Sequence, residues 1–138
     1  MHPTTNQSVI QYNEEKDILL MKMHGHMTLD EYKTFFENIL TEAKKHTCSY
    51  WIYDLSSFEY NSLQARTWQI TVFLPRCFRE LAQEIVVGMI PPQDAVHRIG
   101  VQVAIKATEN MNYPYCLKYF KNIERAQDWI LSKNNSDN

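Results

Sequence analysis

With 138 residues, 44% of them hydrophobic and 22% charged, the chain has the length of one domain and enough apolar material for its own core. A formal charge of -2 at pH 7 and a pI near 6.2, with Lys and Arg scattered, exclude the clustered basic surface that nucleic acid or an anionic membrane demands. No apolar run approaches the roughly 20 residues that cross a bilayer, so no transmembrane segment is expected. Three widely spaced cysteines, Cys48, Cys77 and Cys116, and an N-terminus without the basic and apolar regions of a signal peptide lead to the expectation of a reducing, cytoplasmic setting. A single domain over residues 1–138 is expected, with an ordered core from about 8 to 131 and flexible ends at 1–7 and 132–138.

In chain order, Ser8 to Tyr12 and Asp17 to His24 read as two strands joined by Asn13-Glu14-Glu15-Lys16, a connection of hairpin length. Thr28-Leu29-Asp30-Glu31 is a capping box that starts a helix, whose Leu29, Tyr32, Phe35, Phe36, Ile39, Leu40 and Ala43 recur at helical spacing. Tyr50-Trp51-Ile52-Tyr53-Asp54-Leu55 then reads as a central strand, because alternation places Trp51, Tyr53 and Leu55 on one face and Tyr50 and Ile52 on the other. The strand is expected to stop at Asp54-Leu55-Ser56-Ser57.

Ser62 is a suitable N-cap for a second helix running to about Ala82. A straight helix would bury Leu63, Thr67, Ile70, Leu74, Cys77 and Leu81, leaving Trp68 and Val72 nearly opposite. Pro75 cannot donate to the Thr71 carbonyl and predicts a kink or break. Glu84 to Ile90, almost continuously apolar and ended by Pro91-Pro92, is a strand covered on both faces. Asp94 to Asn110 fits either period. Val101, Val103 and Ile105 alternate as in a strand, whereas Ala95 or Val96, Ile99, Val103 and Ala107 suit a helix. Helix is chosen, since a parallel return to the next strand needs a crossover of about a dozen residues. Tyr115 to Phe120 is the last strand, and Asn122 caps a short final helix that buries Ile123, Ala126, Trp129 and Ile130. The expected fold is α/β, a mixed five-stranded sheet with an N-terminal hairpin and about four helices in the order β-β-α-β-α-β-α-β-α.

That order, the Asp-Leu-Ser end of the central strand, the Ser62 that opens the next helix and the terminal Tyr-Phe-Lys-Asn-Ile-Glu-Arg-Ala-Gln-Asp-Trp-Ile stretch resemble the SpoIIAA-like STAS domains, the anti-sigma-factor antagonist family, from about Ser8 to Leu131. The resemblance implies a non-enzymatic regulatory or protein-interaction domain. It also implies a phosphoacceptor serine at the start of the helix after the central strand, a position that Ser62 matches. Asn61 and Leu63 depart from the family's Asp-Ser-Ser-Gly-like turn.

Against that phosphoacceptor role stands the plain N-cap role of Ser62. Phe58, Tyr60, Trp68, Val72, Arg76 and Arg79 form a candidate interaction surface, since aromatic residues and Arg are enriched at interfaces, and a protein partner or homodimer is expected there. The alternative is a small-molecule or lipid carrier, because the STAS layout is similar to that of the CRAL-TRIO lipid-transfer domains. Its candidate pocket comprises Met21, Met23, Tyr53, Asp54 and Met89, and a continuous apolar cavity there distinguishes it from an interaction module. An enzyme using Asp54 with His24 and His26 is the third reading. His24 and His26 are weak metal candidates, for no other Cys or His pair has a ligand-like spacing, and no cofactor is expected.

Overall fold

The structure is a computed structural model that describes residues 8–59, 62–109 and 111–136. Five strands form one sheet in the order β1-β2-β3-β4-β5, so the strand order in space is the order in sequence. β1 (Val9–Asn13) and β2 (Ile18–Gly25) form the N-terminal hairpin. Asp17, with φ of 55°, turns the chain between them and accepts a 2.6 Å hydrogen bond from the Tyr12 hydroxyl. β3 (Tyr50–Phe58), β4 (Ile85–Ile90) and β5 (Tyr115–Tyr119) then add in parallel, each beside the one before. The Trp51 strand is therefore the middle one of five, as its two apolar faces require. It runs to Phe58 rather than stopping at Asp54, because Ser57 and Phe58 pair in register with His24 and Gly25 beyond a bulge in β3, which has one extra residue between Asp54 and Ser57.

α1 (Leu29–His46) starts on the capping box, with the Thr28 hydroxyl accepting from the Glu31 amide and the Glu31 carboxylate accepting from the Thr28 amide. Its Tyr32, Phe35, Phe36, Ile39 and Leu40 are buried on the same sheet face as Trp51 and Leu55. The second helical run has three parts: α2 (Leu63–Trp68), a π-helical turn (Gln69–Phe73) and α3 (Leu74–Leu81). The expected irregularity lies just ahead of Pro75, where the Leu74 amide reaches back five residues to the Gln69 carbonyl. The hydroxyls of Thr67 and Thr71 donate to the carbonyls of Leu63 and Thr67, a bonding pattern that loosens the same stretch.

The extra residue in the π turn changes which side chains face inward. Trp68 and Phe73, five apart, face the core with ring centroids 5.6 Å apart, and Cys77 continues the buried stripe. Leu63, assigned to the buried stripe of a straight helix, is 71% exposed instead.

α4 (Ala95–Glu109) is helical, and it lies on the same face as α1 and α3. Its buried residues are Val101 and Thr108, whereas Val96, Ile99 and Val103, expected on the inner stripe, are 75, 58 and 56% exposed. Among the described residues α5 (Ile123–Ser136) alone covers the opposite face, packing Ala126 and Ile130 on Ile18, Ile52, Val86 and Ile90. It extends into the segment expected to be a flexible tail, and the first seven residues lie outside those described. Among the described residues no helix is long and apolar enough to cross a membrane.

Candidate functional site

The larger core is not filled. Between the sheet and its helical cover lies a cavity of about 110 Å³, walled by Met21 of β2, Trp51 and Tyr53 of β3, and Val87 and Met89 of β4. Leu117 of β5, Phe36 of α1, Ile70 and Phe73 of the π turn, Cys77 of α3, and Ala104 and Ile105 of α4 also line it. The opening follows from local sequence. The π turn widens the helical run where it crosses the sheet, and α4 sets small Ala104 rather than a large side chain against the space.

The polar groups near the cavity are bonded to the protein. The Tyr32 hydroxyl donates to Oε1 of Gln69, and the Tyr53 hydroxyl donates to Sδ of Met23 at 3.0 Å. The indole Nε1 of Trp51 donates to the Cys48 carbonyl at 2.9 Å, and Oγ1 of Thr108 donates to the Ile105 carbonyl at 2.7 Å while lying 3.2 Å from the Tyr115 hydroxyl. Burial pushes the Cys77 thiol up to about 12, so it lines the wall as a neutral group at ordinary pH. Such a wall offers dispersion contacts and few polar ones, which suits an apolar guest.

Three of the five expected pocket residues, Met21, Tyr53 and Met89, line this cavity. Met23 is fully buried beside it and accepts the Tyr53 hydrogen bond. Asp54 does not line it: alternation turns Asp54 away from Tyr53, and its buried carboxylate accepts a 3.0 Å hydrogen bond from the Ser56 amide. Phe73, Cys77, Ala104 and Ile105 were not foreseen. The signal available for the α4 pair was the double periodicity of 94–110, which arises because apolar residues occur all around that helix.

Ser62 caps α2, its Oγ accepting from the Ala65 amide at 3.0 Å. Of the expected interaction surface, Phe58 is instead a core residue, 4% exposed, because it extends β3 beneath α1. Trp68 is half-buried against Tyr32, Phe36 and Phe73, with the Lys33 ammonium 5.8 Å above its ring. Arg76 bonds Glu37 at 2.6 Å across the α1–α3 seam and Glu80 at 2.7 Å one turn on in its own helix. Val72 and Arg79 remain exposed, and Tyr60 lies outside the described residues. His24 and His26 are exposed at and beyond the end of β2. Among the described residues no group of three or more His, Cys, Asp or Glu is placed to hold a metal.

No protein-family model matches the chain, and neither a curated protein nor a solved structure does.

Proposed function

We propose that this chain is a non-enzymatic binding domain that encloses a small apolar ligand between its sheet and the cover formed by the π turn and α4. The observation that supports this reading is the apolar cavity bounded by Met21, Tyr53, Phe73, Met89 and Ile105. Its size decides the ligand class. An engineered cavity of about 150 Å³ binds benzene, whereas drug-sized ligands occupy about 300 Å³ or more. At about 110 Å³, the space suits a single-ring aromatic or the end of an acyl chain, not a whole lipid. Of a small-molecule and a lipid carrier, a cavity of this size favours the small-molecule carrier.

The test is native mass spectrometry of the protein purified from its own host, compared with an Ala104→Met variant that fills the cavity. The expected result is a small apolar molecule retained by the wild type and absent from the variant. Protein that carries nothing and gains no thermal stability from benzene or toluene would remove the proposal.

A second reading, a STAS-like regulatory domain that docks a protein or a second copy of itself, is favoured by one observation. The π turn and α4 pack together and expose Val72, Val96, Ile99 and Val103. Phosphorylation of Ser62 would fit this reading, adding about -1.5 to -2 charge at the start of α2, where Oγ already accepts from the Ala65 amide. Sedimentation of the wild type against a Val72→Ser, Ile99→Ser variant tests the docking. A wild-type dimer that the substitutions dissociate supports it, and a monomer in both contradicts self-association.

A further inference from the structure

We infer that a second site, for a small organic anion, lies at the carboxyl edge of the sheet between Arg98 and Lys121. A cleft of about 400 Å³ opens there, with Ile90, Pro92 and Phe120 as apolar wall and Ser56, Gln93, Arg98 and Lys121 as polar wall. It sits where β3, β4 and β5 end, and the crevice outside the carboxyl ends of parallel strands is where open α/β sheets receive ligands. Its volume falls within the range of small-molecule sites, unlike that of the internal cavity.

The two cations set the ligand's charge. Elsewhere Arg76 and Lys44 are neutralised by Glu37 and Glu80, and Lys118 lies over the rings of Phe120 and Trp129. Among the described residues neither Arg98 nor Lys121 forms an ion pair, and Arg98 is half-buried in the cleft. An unpaired cation on open surface is merely solvated. Two of them lining one concavity concentrate positive potential within it.

The nearby acids are engaged otherwise. Asp94, one turn before Arg98, accepts from the Val96 and His97 amides and lies 3.1 Å from Nδ1 of His97. Asp54, paired in register with Ile90, accepts from the Ser56 amide. Because Asp94 already caps α4, recognition here falls to side chains. A guanidinium fork matches phosphate or carboxylate oxygens bidentately, and the ammonium adds a point charge. The apolar wall requires an organic body on that anion, giving a phosphate monoester or a carboxylate attached to a ring or short chain.

The experiment is a two-dimensional NMR titration of the full chain with phenyl phosphate, benzoate and inorganic phosphate, repeated in Arg98→Gln, Lys121→Gln and, as a control on the same helix as Arg98, Lys106→Gln. The expected result is saturable shifts at Ser56, Gln93, Arg98 and Lys121 with phenyl phosphate or benzoate. Binding weakens about tenfold in Arg98→Gln, less in Lys121→Gln and not in Lys106→Gln. The tighter organic probe distinguishes phosphate from carboxylate. Absence of saturable shifts overturns the inference, as does binding unaffected by Arg98→Gln and Lys121→Gln, or inorganic phosphate bound as tightly as both organic probes. The exposed Lys121 keeps the test usable if Arg98→Gln fails to fold, and filling the internal cavity with Ala104→Met leaves this site intact.

Discussion

Gly88 of β4 and Ala126 of α5 meet so closely that a Cβ on Gly88 would stand 2.9 Å from the Cβ of Ala126. The approach lets one helix seal the face of the sheet opposite α1, α3 and α4. Gly88→Ala is therefore expected to lower stability by about 1–3 kcal/mol through overpacking, measured as a shift in the urea midpoint at unchanged slope. Adding Ala126→Gly should recover part of the loss. A Gly88→Ala chain as stable as wild type would mean that α5 does not pack this way.

The cysteines should divide by environment. Cys48 and Cys77 are buried, and burial pushes both thiols up to about 12, whereas Cys116 on the edge strand β5 is half-buried. A charged disulfide reagent at mildly alkaline pH is expected to modify one thiol quickly in the native protein and the other two only on unfolding. Cys116→Ser should abolish the fast phase; two fast thiols, or a fast phase that survives this substitution, would contradict the assignment.

Acid should loosen the seam between α1 and α3. Hydrogen bonds from Lys44 and then Arg76 hold the Glu80 carboxyl below its ordinary value of 4.5. A depressed folded value means that the stability gained is fully present above 4.5 and is lost as pH falls through the lower folded value. The stability difference between wild type and Glu80→Gln should accordingly shrink as pH falls below that ordinary value, and the gain is small because the pair is open to solvent. Denaturant midpoints of both proteins over that range check the sign, and a difference that widens on acidification would reverse it.

Much of the fold was legible because local signals agreed with the global arrangement. The Thr28–Glu31 box, the two-faced Trp51 strand and the Pro91-Pro92 stop each had one physical reading, and the sheet follows from them. The inward face of the helical run was not legible. A π turn adds one residue without changing composition, and that insertion separates Trp68, which packs on Phe36, from the exposed Val72. For α4, apolar residues on every side give no phase, and the stripe through Val96, Ile99 and Val103 faces outward. The site was half legible for related reasons. Met21, Tyr53 and Met89 line the cavity from strands that the sequence shows plainly, as do Trp51, Val87 and Leu117, whereas the walls supplied by the π turn, α3 and α4 depend on how the helices are rotated.

The most direct measurement is an NMR titration of wild type and Ala104→Met with benzene. The account predicts saturable shifts in the wild type centred on Met21, Tyr53, Cys77 and Met89. It also predicts their loss in the variant, which should be about 0.5–2 kcal/mol more stable for having its cavity filled. A wild type without saturable shifts, or an Ala104→Met chain that binds benzene equally well, would contradict it.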